Sequence, residues 1–480
     1  MICGVMAASA GVLYLNALRN PFVYDDYHTV IVNASIARPG DLRAIVLHDV
    51  TRPIVNFSYA VDRAIWGTGP FGFHVTSVLL HMLNAVLFWQ VAWALTRSSR
   101  MATAAASLFA VHPMMTEAVG YISGRSEVLC ATWLLAAFLA GRRWLERGGA
   151  AWAGAMIALW FAALASKETA AMFPFVFGAY CWLRGAPGRA RLVVAGMIGL
   201  TVLAGIGRVY VLAAIEYPGR VAIHWPFIPL DVNVAARYLL LLVRPAGQSI
   251  FHSVPLPAFF SAVNLISMAA LAVPIAVAWR VRRTEPAATL GVVWFFAMLI
   301  PSAVLILLDQ GEPMTEHRVY VASLGFFLAA GVGVGYAGAW LGRRGEKPLA
   351  FGILAFRLVV LGLAALTVMR NAVWADPIAL YQESVDLAPA HYRPHLLLGE
   401  ALLDKNRRDD AIGQFETAIR LRPNDPTGYI KLSLCYADIG KFGESRRLLN
   451  RARELDPDDK SIDRMLDALA RVEERMKPVK

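Results

Sequence analysis

The sequence predicts an all-α chain in two parts, a polytopic bundle of membrane-spanning helices followed by a short helical-repeat solenoid. Three observations lead there. Hydrophobic residues make up 57% of the 480 residues and charged residues 17%, less charge than a soluble domain carries. Apolar runs that approach or reach the ~20 residues a bilayer demands recur along residues 1–374. After Trp374 the composition turns polar, no such run remains, and a repeat sets in.

The first apolar run, 2–18, has no basic stretch ahead of it and reads as an uncleaved spanning helix rather than a signal peptide. Further spans are expected near 73–95, 101–117, 127–141, 150–165, 169–183, 192–214, 259–279, 287–308, 319–341 and 349–369, about eleven in all. The loops "TRSSR", "GRRWLERGG", "LRGAPGRAR", "WRVRRTEP" and "GRRGEK" are basic, and alternation puts all of them on one side, the cytoplasmic side. The net charge of +11 therefore belongs to the positive-inside pattern, and nucleic acid is excluded as a partner.

The segment "NVAARYLLLLVRPAGQS", 233–249, is short and interrupted by Arg237, Arg244 and Pro245. If it crossed, "WRVRRTEP" and "GRRGEK" would land outside, so a re-entrant or in-plane helix on the outer side is expected. The N-terminus is then cytoplasmic. The loop 19–72 lies outside, with amphipathic stretches such as "RPIVNFSYAVDRAIW" suited to the membrane plane. Everything after Arg370 is extracytoplasmic, on a multi-pass protein of the plasma (inner) membrane.

The expected domains are 1–374 and 375–480. In the second, Pro389, Pro423 and Pro457 follow one another at the 34-residue tetratricopeptide spacing. Leu398, Gly399, Ala411, Phe415 and Ala418 of one unit match Leu432, Ser433, Ser445, Leu449 and Ala452 of the next. Residues 460–476 read as a polar capping helix. Such a wall of helix pairs has no chemistry of its own, but it can hold a protein or peptide acceptor. The four cysteines, Cys3, Cys130, Cys181 and Cys435, form no CxxC pair and read as small buried hydrophobes.

Ionisable residues collect at the outer ends of separate helices: Asp25, Asp26, Arg52, His112, Glu117, Arg125, Glu127, Lys167, Glu168 and Glu316, His317, Arg318. Charge at membrane depth is costly unless paired or solvated, which points to one polar cavity facing out. Asp25 and Asp26 stand between Tyr24 and Tyr27, just where the first helix leaves the lipid. A carboxylate opposite cations beside lipid suits sugar transfer from a lipid-linked phosphate. Arg or Lys holds the phosphate, and the carboxylate takes the proton of a weakly nucleophilic acceptor. The chain has no GxxxxGK[ST] loop, consistent with a donor whose energy lies in its glycosyl–phosphate bond.

The segments "PFVYDDYHTVIVN", "TRPIVNFSYAVDRAIWGTGPFGFHVTSVLLHMLNAVLF", "FAVHPMMTEAVGYISGRSEVLC", "SKETAAMFPF" and "EHRVYVASLGF" resemble the transmembrane and tetratricopeptide repeat-containing O-mannosyltransferases, as does the order of membrane domain and repeats. The wider class is that of the GT-C glycosyltransferases. The resemblance implies inverting transfer of mannose from a polyprenyl phosphate to a protein Ser or Thr hydroxyl. It places Asp25 at the position of the catalytic base and Asp26 at its acidic neighbour, supporting the base or binding acceptor. By charge and loop position, Arg52, Arg125 and Arg318 are the candidates for the donor phosphate. The repeat array is much shorter than is usual in the family, which leaves the acceptor open. The Ala/Arg-rich composition reads as a bacterial-type member, favouring undecaprenyl over dolichyl phosphate.

Other pocket candidates are His81, His112, Glu117, Glu127, Lys167, Glu168, Glu316, His317 and Tyr320. His81 also reads as a packing residue, Lys167 and Glu168 as a local ion pair, and Glu316 as a first-turn charge. His112 with Glu117 is half of a metal pair without a third ligand. Carboxylates beside a phosphate can hold Mg²⁺ or Mn²⁺, so a divalent cation stays open. Asn33 and Asn56 stand in N-x-[ST] triplets. The competing reading is a non-catalytic scaffold whose repeats recruit envelope proteins; a transporter ranks last, for want of inverted repeats.

Overall fold

The computed structural model describes residues 2–211, 214, 222–309 and 311–476, and every regular element among them is helical. The chain forms two compact units, one of residues 1–248 with 254–375 and one of 249–253 with 376–480.

Among the described residues of the first unit, eight helices are long and apolar enough to cross a bilayer: Pro70–Thr96, Ile122–Arg147, Gly188–Val211, Trp225–Val243, Ala262–Val281, Pro286–Leu307, Glu316–Arg344 and Glu346–Val373. Ile2–Leu13 and Ala150–Leu164 are shorter apolar helices. Two of the expected spans are also shorter than anticipated. The helix expected over 101–117 is Ser99–Val111, because His112 is extended and Pro113 follows. The one expected from 169 begins with a tight turn, Glu168–Met172, and leaves Phe173–Leu183 as the helix. Residues 212 and 213 of the span expected near 192–214 lie outside the described residues.

The five basic loops gather at one end. Glu146 bridges Arg142 and Arg97, Arg189 lies beside Gly148, and the Thr289 hydroxyl donates to the Ala278 carbonyl. Tyr336 donates to the Glu285 carboxylate, and Met101 packs on Gly335.

The Ile228–Val243 helix is not broken at Arg237, as the sequence suggested; it runs on until Arg244 and Pro245. Its length alone would suit a crossing, but both ends attach to the end of the bundle opposite the basic loops. The His224 amide donates to the Leu307 carbonyl, and His112 Nε2 donates to the Leu242 carbonyl. A segment lying across that end does this, and a crossing helix does not.

Two helices meet without side chains between them. A Cβ on Gly291 would stand 2.5 Å from the Gly325 carbonyl oxygen, and one on Gly325 would overlap that of Gly291. Small residues permit this backbone approach of Pro286–Leu307 to Glu316–Arg344. Gly325→Ala is expected to lower the stability of the detergent-purified protein by about 1–3 kcal/mol, read as a fall in unfolding temperature. An unchanged unfolding temperature would contradict the packing.

The loop 19–72 is folded. Asp41 caps Leu42–His48, its side chain accepting from the Ala44 amide, and Pro53 opens Pro53–Trp66. Asn33 and Asn56, the residues of the two N-x-[ST] triplets, are buried and joined at 2.8 Å. Asn56 also donates to Ser35 Oγ and to the Ile45 carbonyl. These amides tie the loop together and leave no room for a glycan.

In the second unit, Tyr392–Asp404 and Arg408–Leu421 form one helix pair, and Pro426–Asp438 and Phe442–Leu455 the next, at the 34-residue step. Matched positions are buried alike: Leu398 and Leu432, Ala411 and Ser445, Phe415 and Leu449, Ala418 and Ala452. Gly399 leaves room for the Phe415 ring against its backbone. Pro389, Pro423 and Pro457 each follow a helix end by two residues. Lys460–Met476 closes the array through buried Ile462 and Leu469.

Candidate functional site

The end opposite the basic loops carries the ionisable residues, and the structure sorts them into three groups. The first is the acidic pair. Asp25 is exposed. Its backbone is fixed on both sides: its amide donates to the Tyr121 hydroxyl at 3.1 Å, and its carbonyl accepts from the Thr29 amide and hydroxyl. Asp26 is wholly buried and faces the other way. Its Oδ2 accepts from the Val23 amide, and its Oδ1 from the Ser123 amide and hydroxyl, at 2.8–3.1 Å. The pair is therefore asymmetric, with one residue exposed and one that bolts the loop to the 122–124 turn. Three donors already engage Asp26, so the two carboxylates do not fit a shared divalent cation. Among the described residues no three His, Cys, Asp or Glu side chains group as metal ligands.

Burial pushes the Asp26 carboxyl up from 3.8 to about 7, against the Ser123 and Val23 hydrogen bonds that favour its charged form. The unfolded chain releases this proton near 3.8 and the folded chain near 7. The folded state thus holds the extra proton in between, and this residue's contribution to stability declines as pH rises across that window. Asp26→Asn is expected to be less stable than wild type, because its Nδ2 would oppose a donor. The deficit should shrink from about pH 4 to about pH 7, read as unfolding temperature against pH. A pH-independent deficit would refute the shift.

The second group is a string of alternating charge. Arg52 bridges Glu168 at 3.2 Å, Lys167 lies 3.9 Å from Glu168, and Lys167 lies 3.6 Å from Glu127. The loop, the start of Ile122–Arg147 and the 167–168 turn thereby meet. Burial alone would raise the Glu168 carboxyl, but Lys167 and Arg52 hold it at about 2, so it stays charged. Arg318 acts on Glu168, Lys167 and Glu127 through space, and donates to the Glu312 carbonyl. His317 feels Lys167, Arg318, Arg52 and Asp25 together, which places Asp25 in the same field. His317 Nδ1 donates to Glu117 at 2.6 Å, and its ring stands 6.4 Å from that of Tyr121. Glu117 also accepts from the Glu316 amide, and Glu316 from Gln248 Nε2. These buried acids hold the 316–318 turn in place.

The third group is buried among partners of its own. Arg125 was expected at the donor phosphate; the structure corrects this. Its guanidinium is wholly buried, 2.6 Å from Asp62, and donates to Ser77, Ser58 and the Phe73 carbonyl, with the Tyr59 ring 4.7 Å away. No donor face remains for a ligand. His81 and Tyr320 are likewise interior. His81 Nε2 donates to the Ala110 carbonyl, so Nδ1 accepts from the Tyr320 hydroxyl at 2.7 Å, and Asn84 donates to that hydroxyl. His112 accepts from the Met114 amide and donates to Leu242, a turn-capping role that leaves no nitrogen for a metal.

Sequence reasoning missed Tyr121, Ser123, Gln248 and Asp62. Each is an ordinary polar residue in an apolar stretch, and its role depends on a partner 63 to 97 residues away.

No family model matches the chain. Curated relatives are protein O-mannosyl-transferases. Tmtc1 of Drosophila melanogaster is 36% identical over 179 residues, 34% of this chain and 21% of that protein. TMTC1 of Homo sapiens is 23% identical over 539 residues, 92% of this chain and 58% of that protein. Tmtc3 of Drosophila melanogaster is 22% identical and covers 94% of this chain and 58% of its own length. The chain resembles these proteins over most of its length, and its matches span about a fifth to three fifths of theirs. Among solved structures, ArnT from Cupriavidus metallidurans bound to undecaprenyl phosphate aligns over 93% of this chain and 79% of that one, at 14% identity and a TM-score of 0.42.

Proposed function

We propose that this chain is a membrane glycosyltransferase of the GT-C type that moves a mannosyl group from a polyprenyl-phosphate donor to a Ser or Thr hydroxyl of a polypeptide, on the extracytoplasmic face. One observation carries this reading: the exposed Asp25 carboxylate, held by its backbone, shares an electrostatic neighbourhood with Arg52, Lys167 and Arg318 at the end opposite the basic loops. The relatives' names supply the sugar and the acceptor class.

In this mechanism the acceptor oxygen attacks the anomeric carbon from the side opposite the phosphate. Asp25 takes the hydroxyl proton as that bond forms. The bond from anomeric carbon to phosphate oxygen breaks, and its electron pair leaves on the polyprenyl phosphate. Arg52 and Arg318 stabilise the charge that grows there. Asp26 acts through the loop, keeping Asp25 in place, and the repeats hold the acceptor polypeptide.

The test is purified full-length protein in proteoliposomes with radiolabelled undecaprenyl-phosphate mannose and envelope proteins. Label in protein, released by cleavage of Ser/Thr-linked sugar, is expected. Absence of label beside an active control transferase would overturn the reading.

A further inference from the structure

The ion pair between Lys167 and Glu127 is incomplete. Glu127 is wholly buried, and neither carboxylate oxygen accepts a hydrogen bond. Lys167 Nζ stands 3.6 Å away, an ion-pair distance beyond hydrogen-bond reach. The ammonium is itself buried, and its hydrogen bond to Ser126 Oγ is long, at 3.5 Å. A buried pair is secure only when its remaining lone pairs and protons find partners. A carboxylate has about four acceptor sites and an ammonium three donors. The place therefore calls for a group rich in both hydroxyl protons and hydroxyl oxygens.

Its position says which group. Glu127 and Lys167 continue the charged string that begins with Arg52 and Glu168, so they lie one step inward from the cation assigned to the phosphate. A cavity of about 60 Å³, lined by Arg52, Tyr59, Ser123 and Ser126 among others, lies at the Arg52 end of this string. It has room for a few waters, and a larger ligand would reach Glu127 and Lys167 by parting the half-exposed Arg52–Glu168 bridge.

We infer that Glu127 and Lys167 form the subsite for the donor's sugar ring, with vicinal hydroxyls of a hexose donating to the Glu127 carboxylate and accepting from the Lys167 ammonium. The inference rests on the donor proposed above. It makes the two residues specificity groups for the glycosyl moiety, separate from the base and from the phosphate cations. Sites built to hydrogen-bond hydroxyls discriminate strongly against ligands that lack them, because their buried polar groups are then left unpaired.

The test titrates detergent-purified protein with undecaprenyl phosphate and with undecaprenyl-phosphate mannose, following tryptophan fluorescence. Wild type is expected to bind the mannose-bearing lipid at least about tenfold more tightly than the bare carrier. Glu127→Gln should bring that ratio towards one and leave the affinity for the bare carrier unchanged. Lys167→Gln carries the same comparison if Glu127→Gln does not fold. A wild-type ratio in a folded variant, or equal binding of both lipids by wild type, would overturn the subsite while the donor reading stands. Binding of neither lipid by wild type would overturn both.

Discussion

Asp25→Asn is expected to reduce sugar transfer by about 10²–10⁴-fold, the usual worth of a positioned general base, with the unfolding temperature unchanged. The second half of that expectation follows from how the residue is anchored. Its backbone amide and carbonyl make the contacts to Tyr121 and Thr29 that hold the loop, and the substitution keeps them. The carboxylate is exposed, so its replacement opens no buried hole. Initial rates in proteoliposomes and thermal unfolding in detergent check the two halves separately. A wild-type rate would remove Asp25 as the base. Under the competing scaffold reading the substitution would leave envelope-protein recruitment intact and no transfer activity would exist to lose.

Arg125→Met is expected to destabilise the membrane unit by about 3–5 kcal/mol, the cost of breaking a buried pair from one side. The substitution strands the Asp62 carboxylate, which is 3% exposed, with Thr76 as its remaining hydrogen-bond donor. It also leaves the Phe73 carbonyl, Ser58 and Ser77 without their guanidinium. Asp62→Asn in the same chain should restore part of the loss, because no unpaired charge then remains. Unfolding temperature and yield of folded protein measure both. A phosphate-binding Arg125 would behave differently: its loss would weaken donor affinity and spare the fold.

Local chemistry settled much of this molecule in advance. Hydropathy marks the apolar helices, and the basic loops on one end of the bundle single out 233–249 as the segment attached to the opposite end. The 34-residue period sets the helix pairs of the C-terminal unit. These features repeat along the chain and need no knowledge of distant partners. The acidic pair, Arg52, Lys167 and the 316–318 turn also stood out in the sequence, because charge is rare where lipid begins.

Tertiary structure decided which charges meet. Asp25 and Asp26 are neighbours in sequence, yet a turn nearly a hundred residues on draws Asp26 inward and leaves Asp25 in water. Arg52 and Arg125 look equivalent as loop cations. Only the packing of Pro53–Trp66 against the start of Ile122–Arg147 brings Asp62 to Arg125, while the 167–168 turn brings Glu168 to Arg52. The physical reason is that the worth of an ion pair depends on distance and burial, and both are set by how helices from remote segments pack.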